Sequence, residues 1–161
     1  MKKYFKNRVT IENYSNNNSL IYENETNKKF LYGKITKDFI EKIDINNNEK
    51  IIADIGCGTG FVFDILTKKY KSGKKIFYGI DPAQGMLNIA KRKINDERVN
   101  FIKGTFENIP LKDNSVDKII STLAMHWVSS IEDSLKELKR ILKPNGTLDI
   151  LMIEKNDGKK F

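Results

Sequence analysis

The chain has 161 residues, 39% of them hydrophobic, which is enough to bury one core and too few for two ordinary domains. It carries no apolar run of about 18 residues, and its opening "MKKYFKNRVT" lacks the apolar stretch of a secretory signal, so a cytoplasmic, membrane-free protein is expected. A lone cysteine, Cys57, and a lone histidine, His126, exclude an internal disulfide and argue against a metal site, while the net charge of +8 is spread along the chain as solvated lysines, which disfavours a nucleic-acid partner.

In chain order, residues 1–30 contain the asparagine-rich stretch "ENYSNNNSLIYENETNKK", too poor in apolar residues for a core, and read as a flexible arm or lid carrying Tyr14 and Tyr22. From Leu31 the pattern changes. Leu31, Ile35, Phe39 and Ile43 recur every four residues and predict an amphipathic helix that "INNNEK" ends. Then follow a strand over 51–55, a helix over 61–70, a strand over 76–80, a helix over 83–93 and strands over 99–102 and 116–121. Ser130 and Asp133 form a capping pattern for a helix over 130–142, whose apolar face is read as Ile131, Leu135, Leu138 and Leu142. "KPNG" stops that helix before a strand over 147–153. Such alternation predicts one α/β domain with a parallel sheet.

The stretch "IIADIGCGTG" (51–60) runs a strand into Gly56, Gly58 and Gly60, with Asp54 just before the turn. A dinucleotide site spaces its glycines G-x-G-x-x-G, but here the third comes one residue early and Phe61 stands where that pattern wants glycine. No Gly-Lys-Ser/Thr follows, which excludes a phosphate-cradling loop. Asp54 would repel a pyrophosphate and suits a ligand bearing an ammonium group, whose backbone can lie against a turn cleared of side chains. S-adenosylmethionine is such a ligand. Asp81, after the second strand "IFYGI", stands where a ribose would cross the strand ends, able to accept from two vicinal hydroxyls.

With "DIGCGTG", "GIDPAQGML", "GTFENIPLKDNSVDKIIS" and "LKELKRILKPNGTL" in that order, residues 31 to 153 resemble the class I S-adenosylmethionine-dependent methyltransferases. The resemblance implies a doubly wound, Rossmann-like, mostly parallel sheet with helices on both faces. It implies that Asp54, Gly56, Cys57, Gly58 and Gly60 line the methionine half of the cofactor and Asp81 its ribose. Pro82 and Met86 would take one side of the adenine, and Thr105 and Phe106 its edge and face, where the family commonly has Asp-Ala. The segment "STLAMHWV" (121–128) resembles the branch that contains the malonyl-carrier-protein methyltransferase of biotin synthesis and trans-aconitate methyltransferase. Those enzymes esterify carboxylates, so the resemblance implies a small-molecule or carrier-protein-bound acceptor.

Tyr14, Tyr22, Thr122 and Trp127 are candidate substrate contacts, although Trp127 could equally cap the sheet and the tyrosines lie on the surface of the arm. His126 is the candidate catalytic residue. A carboxylate acceptor needs no general base, whereas a hydroxyl or amine does, and His126 has a suitable ordinary pKa. A cofactor-binding subunit without turnover and an RNA methyltransferase share the same motifs and stand as alternatives. The strand "TLDILMI" is followed by "EKNDGKKF", whereas the family has two further strands. The expectation is therefore a domain over 31–161, C-terminally truncated, with residues 147–153 exposed as an edge through which a homodimer would form.

Overall fold

The computed structural model describes residues 11–15, 19, 22, 31–71 and 74–152. The first long helix, α1 (Leu31–Lys42), leads into β1 (Ile51–Ile55), α2 (Phe61–Lys69), β2 (Ile76–Asp81), α3 (Gln84–Lys93) and β3 (Val99–Lys103). After β4 (Val116–Thr122) come a 3-10 turn (Met125–Trp127), α4 (Ile131–Ile141) and β5 (Leu142–Leu151). The expected parallel sheet is present: five strands in the order β3-β2-β1-β4-β5, every pair parallel.

The central strand β1 packs β2 on one side and β4 on the other. Successive crossovers thus run outward in opposite directions from the middle of the sheet, and this opens a crevice at the carboxyl ends of β1 and β4. Two apolar cores cover the two faces. One joins Ile40 of α1 and Val62, Phe63 and Leu66 of α2 to Ile52 and Phe77 of the sheet. The other joins Leu138 and Ile141 of α4 to Ile55, Ile80 and Ile119. Each fully buried aliphatic or aromatic side chain of this kind contributes about 1.5–3 kcal/mol.

Two helix faces differ from the sequence expectation. In α1 the buried positions are Gly33, Thr36 and Ile40, with Ile43 just beyond, while Ile35 is exposed and Phe39 half-buried. A strict four-residue repeat advances about 40° per step around a helix of 3.6 residues per turn, so it cannot hold one face, whereas the 3-4-3 spacing does. In α4 the buried residues are Ser134, Leu138 and Ile141; Ile131 and Leu135 are exposed. The Ser130 side chain caps this helix as expected, accepting from the Asp133 amide at 3.2 Å. The expected break at "KPNG" is absorbed into β5. That strand begins at Leu142, paired with Val116, and resumes at Thr147, paired with Lys118. Residues 143–146 therefore bulge opposite Asp117, whose carboxylate accepts from Lys143 Nζ at 2.7 Å.

The end of the sheet away from the crevice is closed by charge. Buried Lys118 donates to Thr147 Oγ1 at 2.7 Å and to Asp149 at 2.9 Å, which ties β4 to β5. No helix among the described residues is long and apolar enough to cross a membrane.

Candidate active site

The turns after β1 and β2 are bonded into one unit. The Gly56 and Cys57 amides donate to the Ile80 carbonyl at 2.8 and 3.0 Å, and the Gly58 amide donates to Asp81 Oδ2 at 2.9 Å. Asp81 Oδ1 accepts from the Ala83 amide at 2.8 Å. Each carboxylate oxygen of Asp81 thus holds one backbone amide and has a second lone pair for a ligand.

Gly56 and Gly58 both have positive φ, 81° and 53°. A Cβ at Gly56 would overlap the Ala124 side chain, whereas one at Gly58 would meet nothing within 4 Å. Gly56 is needed for packing; Gly58 leaves open the space in front of it. Gly60, φ 78°, is the N-cap of α2 and lies against Ala90, Ile94 and Phe101, so the early third glycine serves helix packing.

Two acids meet here under burial. Asp54 is completely buried and neither carboxylate oxygen has a hydrogen-bond partner. Burial first, and then the nearby Asp81, push its pKa well above the usual carboxylate value. Burial likewise raises Asp81 to about 6, against the lowering effect of its two amide bonds. Burial and the same two acids push the Cys57 thiol up, which keeps it protonated in the core.

A cavity of about 750 Å³ opens at this end of the sheet, within the range of about 300–1,000 Å³ usual for small-molecule sites. Gly56, Gly58, Asp81, Pro82 and Met86 line one part of it, with Thr105 and Phe106 beside them. Thr105 and Asn108 exchange two backbone bonds of 3.2 Å, a tight loop that carries the buried Phe106 to the wall. Tyr14, Tyr22, Thr122, His126 and Trp127 line the rest. Among the expected site residues, Asp54, Cys57 and Gly60 do not reach the cavity surface; they lie behind or beside the turn.

Sequence reasoning missed several wall residues. Leu123 has φ 53°, a left-handed conformation uncommon for a branched side chain, and it swings Ala124 against Gly56. Glu107 Oε1 accepts from the Ser129 and Ser130 amides at 2.7 and 3.3 Å, pinning the loop after β3 to the start of α4. Tyr32, from α1, completes the aromatic side. The only signal in the sequence for Leu123 and Glu107 was their place beside motif residues. His126 and Trp127 adjoin with ring centroids 4.8 Å apart and planes tilted by 45°, and Tyr14 and Tyr22 meet edge to face at 5.6 Å. His126 is exposed at the cavity mouth, yet partial burial lowers its pKa below the ordinary imidazole value.

This geometry agrees with the relatives of the chain. The methyltransferase domain model matches residues 53–150. A malonyl-(acyl-carrier protein) O-methyltransferase of Priestia megaterium is 36% identical over 102 residues, covering 63% of this chain and 36% of that protein. A ubiquinone/menaquinone biosynthesis C-methyltransferase of Campylobacter jejuni is 38% identical over 113 residues, covering 68% of this chain and 47% of that protein. The chain therefore spans less than half the length of these two curated relatives. A crystal structure of an S-adenosylmethionine-dependent methyltransferase from Aquifex aeolicus superposes with a TM-score of 0.62 at 29% identity, covering 88% of this chain and 70% of that one. The chain belongs to the class I S-adenosylmethionine-dependent methyltransferases. The family's cofactor, S-adenosylmethionine, fits what is present here: two buried acids, one of them without partners, beside a glycine turn that faces an open cavity.

Proposed function

We propose that this chain binds S-adenosylmethionine across the carboxyl ends of β1, β2 and β3 and methylates a small acceptor held between the 3-10 turn and the segment carrying Tyr14. The observation that carries the reading is Asp81, buried, raised in pKa and facing the cavity between Gly58 and Ala83. When bound, the cofactor supplies an electrophilic methyl group on a sulfonium. Asp81 would accept the ribose hydroxyls, and Gly56 and Gly58 would leave room for the methionine end. Asp54 would stand behind that end, where a bound ammonium group would favour its charged form, and Cys57 and Gly60 would shape the turn. Pro82, Met86 and Phe106 would enclose the adenine, with Thr105 at its edge. Thr122, Trp127 and the tyrosines would orient the acceptor, where alignment of the reacting atoms can supply about 7–11 kcal/mol of the barrier. His126, neutral at pH 7, is placed to take a proton from an acceptor that has one to lose.

The aromatic half of the cavity, which cofactor binding does not need, favours catalysis over a cofactor-binding subunit without turnover. Calorimetry with S-adenosylhomocysteine tests the pocket. Asp81→Ala is expected to weaken binding by about tenfold or more, because charge-assisted bonds are worth about 1.5–3 kcal/mol each. An unchanged affinity in a folded Asp81→Ala variant would remove Asp81 from the site.

A further inference from the structure

The loop after β3 is tied to α4 at two places. At its far end Arg140 donates to the Ile109 and Leu111 carbonyls, both at 2.8 Å, and Glu137 Oε2 accepts from the Ile109 amide at 2.9 Å. At its near end Glu107 Oε1 reaches the Ser129 and Ser130 amides, 22 and 23 residues further along the chain. Ser130 is the N-cap of α4, and its amide is the one that an acid at the third helical position takes in a reciprocal capping box. Asp133 stands at that position, yet the acceptor comes from the loop after β3. A residue of the cavity wall thus completes the start of α4.

The two halves of the cavity meet at this carboxylate. Thr105 and Phe106, immediately before it, line the part proposed for the adenine, whereas His126, Trp127 and Ser129 line the acceptor part. Trp127 is 44% exposed and belongs to a three-residue 3-10 turn. That turn is held by the Trp127 amide on the Ala124 carbonyl at 3.0 Å and the Val128 amide on the Met125 carbonyl at 3.4 Å. Its place therefore depends on its two ends, Ala124 against Gly56 and the Ser129 and Ser130 amides on Glu107.

We infer that Glu107 is a positioning residue that couples the two halves: cofactor lying against Thr105 and Phe106 orders the turn that carries His126 and Trp127, and the acceptor wall is set once the cofactor is in place. This rests on the proposed methyltransferase reading and adds a regulation of that same site. A ligand against Thr105 and Phe106 restricts the loop, and the restriction passes through the next residue, Glu107, to the two amides it holds. An acceptor then meets a turn already ordered and loses less freedom on binding. The coupling is reciprocal, so an acceptor held at Trp127 tightens the cofactor in turn.

Trp127 is the one tryptophan of the chain, so its fluorescence reads the turn directly. Acrylamide quenching of the full chain is measured well below its melting transition, with and without S-adenosylhomocysteine, saturation being established by calorimetry. In the wild type the quenching constant is expected to fall on saturation. Glu107→Ala should bind S-adenosylhomocysteine and lose that fall. Glu107→Asp keeps the charge at the wall but is one methylene too short, and should lose it as well. Glu107→Gln keeps an acceptor oxygen at the same reach and should retain most of it. A role in stability alone would shift the melting temperature without separating the Asp variant from the Gln variant. A wild-type constant that the ligand leaves unchanged overturns the inference. So does a fall that persists in Glu107→Ala and Glu107→Asp, which would mean that the ligand touches Trp127 itself or acts through Phe106 and Ala124. Failure of the wild type to bind S-adenosylhomocysteine is a different result and overturns the cofactor reading, and the coupling with it.

Discussion

Gly56 and Gly58 stand one residue apart, both left-handed, and their substitution should have opposite signatures. Alanine at either position adds a left-handed cost of about 1–2 kcal/mol. At Gly56 it also drives a methyl into Ala124, adding overpacking of about 1–3 kcal/mol, so Gly56→Ala should lower the melting temperature clearly. At Gly58 there is nothing to strike, and the added methyl projects into ligand space. Gly58→Ala is expected to fold with a modest loss and to bind S-adenosylhomocysteine poorly. Thermal unfolding and calorimetry on the two variants check the pair, and similar losses of stability in both would contradict the geometry.

At the scale of elements, the notable contact is between α3 and the segment around Tyr14. A Cβ at Gly85 in the first turn of α3 would lie 2.7 Å from the Tyr14 carbonyl oxygen and 2.8 Å from that of Ser15. Gly85 is thus the seat on which residues 11–15, helical in this structure, rest over the cavity. Alanine is intrinsically better than glycine in a helix by about 1 kcal/mol, so Gly85→Ala should leave the sheet domain as stable or slightly more so. The segment, unable to approach, should come away. Limited proteolysis is expected to cut faster before residue 31 in this variant, with the melting temperature held. Equal cleavage rates in variant and wild type would mean that the segment does not depend on this seat.

For the whole molecule, the buried acids make stability depend on pH. The folded pKa values of Asp54 and Asp81 stand above the ordinary value. Their contribution is therefore complete below about pH 4 and is lost as pH rises, through about 6 for Asp81. Arg98 and Arg140 hold Asp96 and Glu137 below the ordinary value, and those contributions are lost only as pH falls below about 4. The cofactor-free chain should accordingly be more stable at about pH 5 than at pH 7.5, by about 1–3 kcal/mol. Asp54→Asn should raise the melting temperature at pH 7.5 and flatten the profile. A profile that rises steadily from pH 5 to 7.5 would show that these acids ionise freely. The same scale concerns association. Among the described residues β5 pairs with β4 alone, and Leu148 within it and Met152 just past its end are exposed. Such an edge is a template for pairing, so concentration-dependent self-association is expected, reduced in Leu148→Lys. Sedimentation of the wild-type chain as a monomer at all concentrations would argue against it.

The order of elements, the parallel sheet and the glycine turn after β1 were legible in the sequence, because short periodic patterns and glycines at fixed spacing report local backbone demands directly. Asp54, Gly56, Gly58 and Asp81 could be singled out because strand ends are where such a fold gathers its ligands. Which face of α1 and α4 is buried was not legible to one residue, since neighbouring apolar positions such as Ile35 and Leu135 compete for the same core and only packing chooses. Nor could spacing show that Leu123 would be left-handed, that Glu107 would reach the amides of Ser129 and Ser130, or that Gly85 would seat a segment about seventy residues earlier. The charge balance of the cavity belongs to the same class. Glu12, Asp81 and Glu107 are distant in sequence, and only the folded chain brings them to one lining.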